Sequence, residues 1–202
     1  GADSMHRIIT IGREFGSGGR ELGRRLAETL KIAYYDHEII AEIARRTSLS
    51  EQYIQSVSER APVFSFPIHT GRSFYPAPNP AFDQSLSVYR EQSNILREMA
   101  EKSDCVIVGR CADYVLRDRP DCLHTFFHAD TAFRADRIVR LYGERPEKPE
   151  KRLKEKDDKR RAYYRHYTGH QWGLAENYDI CLDSGRLGID QCVDILVNAA
   201  KA

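Results

Sequence analysis

Gly16-Ser17-Gly18-Gly19-Arg20-Glu21 is the densest run of chemistry-bearing residues in the chain. Glycines at this spacing let successive backbone N–H groups turn inward. A helix starting directly after them adds partial positive charge, so the place suits a phosphate. All six residues, Gly16 through Glu21, are therefore candidate phosphate ligands. The run departs from the phosphate-loop pattern G-x-x-x-x-G-K-[ST] in having no lysine. With Gly16-Ser17-Gly18 at the apex, Gly19 takes the lysine place and Arg20 follows it. With the frame moved by one, Arg20 is the cation and Glu21 stands where a magnesium-binding hydroxyl is expected. Ser17 lies nearby, so Ser17 and Glu21 are the candidate contacts for Mg²⁺ arriving with a nucleotide. A glycine turn that serves only helix packing is the competing reading.

Two further elements could handle anions. Gly109-Arg110 follows a short apolar run, Cys105-Val-Ile-Val108. At the carboxyl end of a parallel strand, an arginine is placed to grip an anion with two parallel hydrogen bonds. Between Lys148 and Arg161, 12 of 14 residues are charged, 8 basic and 4 acidic. Such runs are commonly solvated helix faces laced by pairs four residues apart. The functional reading is a mobile cationic lid over a triphosphate, with Gly143, Pro146, Pro149 and Gly169 as hinges. Positive groups are what phosphoryl transfer needs around the moving phosphate. Tyrosines beside the run suggest base stacking, but Glu155, Asp157 and Asp158 disfavour a nucleic acid. His124, His128, His166 and His170 lack a third partner in pattern and do not predict a metal site.

These residues need a scaffold, and the apolar pattern supplies one. Ile8 to Ile11 reads as a buried strand. Leu22, Leu26 and Leu30 make the buried stripe of a helix ending near residue 31. Asp36 reads as the N-cap of a helix carrying Ile39, Ile40 and Ile43, and Ser48-Leu-Ser-Glu51 as a capping box opening another. Residues 62 to 80 hold five of the eight prolines among Phe64, Phe66, Phe74 and Tyr75, which predicts a long loop. A helix follows from about Gln84 to Lys102. Strands are expected at 105–108, 123–127 and 178–182, and helices around Ala135–Tyr142 and Ile189–Leu196. Strand-helix alternation of this kind predicts an α/β fold, a parallel sheet flanked by helices.

Composition sets bounds on this reading. In 202 residues, 41% are hydrophobic, 30% are charged and the formal net charge is +1. A DNA-coating protein would carry a basic excess, and no apolar run reaches the length of a membrane span. The 148–161 block carries +4, leaving -3 for the remainder. Five widely spaced cysteines without a C-x-x-C pair predict reduced apolar fillers in a cytoplasmic protein. Gly-Ala-Asp-Ser ahead of Met5 reads as a tag remnant.

Taken in order, several segments resemble the cytidylate kinase-like proteins, the divergent bacterial branch of cytidylate kinases. They are the strand with its Arg-Glu-Phe-Gly-Ser-Gly-Gly-Arg-Glu loop, Asp36 after Tyr34-Tyr35, Gly109-Arg110, the Lys156-to-Arg161 run, and Leu182-Asp183-Ser184-x-x-Leu187-x-Ile189-Asp190-Gln191. The resemblance implies a P-loop kinase fold over 5–202, with an acceptor lobe and loop at 36–102 and a lid-like segment at 145–171. It implies transfer of the γ-phosphoryl of ATP, with Mg²⁺, to an acceptor phosphate. The 16–21 loop would hold ATP, Asp36 and Arg110 the acceptor, and Arg20, Lys156, Lys159 and Arg161 the transferred group. Cytidylate kinases have an aspartate where this chain has Cys111, a serine and an arginine where it has His37 and Glu42, and a lid arginine that falls on Tyr163 unless Arg161 or Arg165 substitutes by a small shift. Those positions recognise CMP or the phosphate transferred to it, so a small phosphorylated or nucleoside-like acceptor is expected, with CMP disfavoured. The competing function is a non-catalytic nucleotide-binding or regulatory protein, suggested by the missing lysine and hydroxyl.

Overall fold

The computed structural model describes residues 6–62 and 80–202. Among them, strands β1 (Ile8–Arg13), β2 (Ala33–Tyr35), β3 (Cys105–Val108), β4 (Cys122–His128) and β5 (Ile180–Asp183) form one sheet in the order β2-β3-β1-β4-β5. Every pairing is parallel, with Ile11 opposite Val108 and Tyr35 opposite Ile107. β2 was not anticipated from the sequence. Three residues are too few to show a period, and only pairing with β3 makes Ala33–Tyr35 a strand.

Alternation along the central strands splits the core in two. Ile9, Ile11, Val106 and Val108 point to one face, where α1 (Gly19–Leu30) and α9 (Ile189–Ala200) cover them through Leu22, Leu26, Val193 and Leu196. Ile8, Cys105 and Ile107 point to the other. There α2 (Glu38–Thr47), α3 (Glu51–Ser58), α4 (Pro80–Lys102) and the short α5 (Ala112–Val115) bring Ile39, Ile43, Ile54, Ile95 and Leu96. Cys105, Cys111, Cys122 and Cys192 are buried as small apolar fillers. Burial pushes the Cys105 and Cys122 thiols up to about 12.

Several local expectations are corrected. Asp36 does not cap α2; His37 occupies that position without a side-chain bond, because the Asp36 carboxylate is engaged by Arg20. The cap of α3 is Ser50, whose hydroxyl accepts from Tyr53 N at 3.1 Å. Ser48 instead ends α2 in a left-handed conformation. α4 begins at Pro80, four residues earlier than the pattern suggested. Proline suits a first helical position, where no N–H bond is lost. The proline-aromatic stretch between Pro62 and Pro80 lies outside the described residues.

The charged run forms α7 (Pro149–Thr168), which follows α6 (Thr131–Tyr142). Its outer face is the solvated surface expected of such runs: Asp158 pairs with Lys154 and Arg161. Its inner face packs Leu153, Tyr163 and Tyr164, and a buried ion pair ties it to α6 and the glycine loop. Asp157, 6% exposed, accepts from Arg134 Nη1 of α6 at 2.7 Å and from Phe15 N of the glycine loop at 2.8 Å. Arg134 also donates to the Phe15 carbonyl at 3.3 Å. Removing one partner of a buried pair leaves an uncompensated charge. Arg134 keeps a second carboxylate, Glu14, at 3.7 Å, so Asp157→Ala should lower unfolding stability in urea by up to about 3 kcal/mol. Asp157→Asn, which retains an acceptor for Phe15 N, should lose less.

Candidate active site

The topology gathers the chemistry at the carboxyl edge of three adjacent strands. β1 ends in Arg13 and runs into the loop 14–18; β2 runs out to Asp36; β3 runs out to Gly109 and Arg110. The chain leaving β1 returns at β2 and the chain leaving β3 returns at β4, so the connections part between β1 and β3. That switch point is where open parallel sheets leave a crevice. Here α7 closes it from above.

Two adjoining cavities, both open to solvent, occupy the crevice. The first is lined by six cations, Arg13, Arg20, Arg110, Lys156, Lys159 and Arg160, and by three carboxylates, Asp36, Glu59 and Asp113. With all ionised, that is a net +3. Two cations are compensated: Arg20 Nε lies 2.9 Å from Asp36, and Lys156 lies 3.5 Å from Glu59. Among the described residues, Arg13, Arg110, Lys159 and Arg160 have no carboxylate within ion-pair distance. Burial is the main cause that holds Arg13, Arg110 and Arg160 below the usual guanidinium range, and neighbouring arginines add to it. Arg160 falls to about 10, still a cation at neutral pH. Uncompensated cations in a crevice favour an anionic ligand.

The second cavity runs along the glycine loop past Phe15, Gly16, Gly18 and Gly19 to Tyr142 and Arg152. Gly18 is the N-cap of α1 and offers no side chain to the first-turn N–H groups, which helix geometry leaves without intrahelical acceptors. Arg13, Arg20, Glu59, Lys156 and Arg160 border both cavities. The loop is braced from beyond β5: Ser184 Oγ, fully buried, donates to the Ser17 carbonyl at 2.6 Å. Asp183 caps the short helix α8 (Ser184–Leu187) by accepting from Arg186 N at 3.0 Å.

Arg110 is held in a costly backbone. Gly109, Arg110 and Cys111 have φ of 69°, 63° and 53° in succession. This is a left-handed turn that L-residues other than glycine adopt at a cost of roughly 1–2 kcal/mol each. Gln92, fully buried on α4, donates to the Arg110 carbonyl at 3.2 Å and fixes the turn from behind. Below it, Asp113 accepts from Tyr164 Oη at 2.6 Å, beside Tyr178 and Trp172. Burial pushes the Asp113 carboxyl up to about 6.

Most residues singled out from the sequence converge here: Arg20, Asp36, Arg110, Lys156 and Lys159 line the first cavity, and Gly16, Gly18 and Gly19 the second. Arg161 does not join them. It pairs with Asp158 at 2.8 Å and lies over the Trp172 ring at 5.4 Å, lining neither cavity. Ser17 and Glu21 also lie apart. Ser17 Oγ donates to the Glu14 carbonyl at 2.7 Å and is fully buried, while Glu21 pairs with Arg137 at 2.7 Å. With both engaged, the donor set does not fit a protein-held magnesium ion, and the described residues hold no group of three His, Cys, Asp or Glu suited to a metal. Arg13 and Arg160 were missed. Arg13 carried no pattern, and Arg160 was one charge among twelve. The i, i+4, i+8 spacing of Arg152, Lys156 and Arg160 was the available signal.

The family model described as "Cytidylate kinase-like family" matches residues 8–186. A cytidylate kinase from Methanopyrus kandleri is 26% identical over 202 residues, 96% of this chain and 92% of that protein. Among solved structures, a protein from Eubacterium ventriosum superposes with a TM-score of 0.72 at 27% identity, covering 96% of this chain and 98% of that one. A shikimate kinase from Bacteroides thetaiotaomicron superposes with a TM-score of 0.57 at 13% identity, covering 96% and 98%, a likeness of fold. The five-stranded parallel sheet is that of P-loop kinases.

Two measurements probe this geometry. Arg110→Gly relieves both the left-handed strain and an unpaired charge, so the variant should melt about 2–4 °C higher while losing anion binding. For Asp113 the folded value lies above the ordinary 3.8. Its contribution to stability is fully present below that value and is lost as pH rises through about 6. Asp113→Asn should flatten the stability profile across that window in denaturation curves taken at several pH values.

Proposed function

The chain belongs to the cytidylate kinase-like family, and on that premise we propose that it is an ATP-dependent phosphotransferase acting on a small phosphorylated or nucleoside-like acceptor other than CMP. The observation that carries this reading is the set of uncompensated cations placed between two cavities, with Arg13 and Arg160 common to both. A triphosphate in the second cavity and an acceptor phosphate in the first would meet there.

In this reading the loop 16–21 and the N-terminus of α1 hold the ATP phosphates. Arg110 grips the acceptor phosphate. Arg20, kept in place by Asp36, faces the acceptor side as well as the loop. Segment 36–102 serves as the acceptor lobe and 145–171 as a lid, from which Lys156, Lys159 and Arg160 reach the transferred group. Arg161 supports the lid from outside through Asp158 and Trp172. Little covalent work falls to the protein in phosphoryl transfer; alignment and positive charge carry most of it. Magnesium, as kinases of this fold generally use it, would arrive bound to the nucleotide, where it neutralises phosphate charge. CMP is disfavoured because Cys111, His37, Glu42 and Tyr163 replace the groups that read it, and Tyr163 is buried against Tyr89 and Tyr167. No helix among the described residues is long and apolar enough to cross a membrane, and reduced core thiols suit a cytoplasmic setting.

The test is a mass-spectrometric screen of the purified protein with ATP, Mg²⁺ and a panel of monophosphates and nucleosides, beside calorimetric titration with ATP. Formation of one phosphorylated product is expected. Binding without any product favours the regulatory alternative, and neither binding nor product overturns both.

A further inference from the structure

The loop has no lysine, yet the stem of an arginine occupies the place beside the start of its helix. Gly19 is the first residue of α1 and has ordinary helical geometry, so conformational freedom does not explain a glycine there. Space does. A Cβ at Gly19 would lie 2.6 Å from Arg13 Cγ and 2.7 Å from Arg13 Cβ. The same side chain meets a second glycine at its far end, since a Cβ at Gly109 would lie 2.7 Å from Arg13 Nη1. Arg13 therefore threads from the end of β1, over the start of α1, to the turn that carries Arg110. Its guanidinium has no carboxylate partner among the described residues, and the residue borders both cavities. Arg160 fixes it from α7 by donating to the Arg13 carbonyl at 3.2 Å.

We propose that Arg13 is the phosphate-gripping cation of this loop, delivered from the strand side into space that Gly19 and Gly109 leave open, in place of a lysine on the helix. This rests on the phosphotransferase reading above and names a residue for it. During transfer, an oxygen of the acceptor phosphate bonds to the γ-phosphorus, and the bond to the β–γ bridging oxygen breaks with its electron pair staying on ADP. Arg13 donates hydrogen bonds to oxygens on both sides of that exchange and gives up no proton. A forked guanidinium suits this task, since it can engage two oxygens at once. The two frames in which the loop could be aligned then resolve: Gly19 holds the lysine place, and Arg20 is the residue after it.

The experiment titrates inorganic tripolyphosphate and ATP into the wild type, Arg13→Ala, Arg13→Lys, Gly19→Lys and the double variant Arg13→Gly/Gly19→Lys, with melting curves as the control for folding. Arg13→Ala should weaken tripolyphosphate binding by about 10- to 100-fold, and Arg13→Lys, which retains the stem and one charge, by less. Gly19→Lys alone should melt lower, because its Cβ collides with Arg13, and should gain no affinity. In the double variant no Cβ remains at position 13, so the collision is gone and the cation returns to the helix, and binding should recover most of the loss. Tripolyphosphate affinity unchanged in a folded Arg13→Ala, or no recovery in a folded double variant, overturns the role of Arg13 and leaves the phosphotransferase reading standing. A wild type that binds neither probe overturns both.

Discussion

Four cationic side chains without carboxylate partners face one another at the carboxyl edge of the sheet, and the fold has to hold them there. Arg13, Arg110, Lys159 and Arg160 repel one another in a crevice where water screens poorly. Left to themselves they would turn outward. Each is instead anchored through its backbone or its stem. Arg13 ends a central strand that is paired on both sides. Arg110 follows a buried strand in a turn backed by Gln92. Lys159 and Arg160 belong to a helix pinned by Asp157. The local arrangement costs stability, and two apolar layers, one on each face of the sheet, offset that cost. Function at such a site is consistent with strain being concentrated there.

What could be read from the sequence follows the range of the forces involved. The strand Ile8–Ile11, the glycine loop and the stripe of Leu22, Leu26 and Leu30 are local patterns, and each formed where its period placed it. Arg110 was legible because a single arginine after an apolar strand has few neighbours to confuse it with. Asp36 was misread as a cap because an aspartate before a helix has a local use. Its carboxylate answers Arg20, sixteen residues earlier, and no short pattern encodes that choice. The second cap moved from Ser48 to Ser50 for a related reason, since the left-handed end of α2 consumed Ser48.

The charged helix shows both readings of a charge run to be true of one element. Lys154, Asp158 and Arg161 make the solvated, self-paired surface that the bland reading describes. Lys156, Lys159 and Arg160 turn toward the crevice. Composition gave the number of charges; only the helical phase, fixed by Leu153, Asp157 and Tyr164 packing inward, sorted them. Arg161 was assigned to the working side because its neighbours in sequence are there, and one residue along a helix turns the side chain by about 100°. The Asp183-Ser184 segment, by contrast, is a brace: Ser184 holds the loop from the far side of the sheet.

The bond from Phe15 N to Asp157 joins two parts of the chain that are 142 residues apart. Together with Arg134 it makes the glycine loop and α7 a single cooperative piece of structure. A fluctuation that lifts the helix exposes the loop amide at Phe15 in the same event, so the two segments share one opening equilibrium rather than having one each. The part of the molecule with the most charge to keep apart is thereby tied to the loop beneath it.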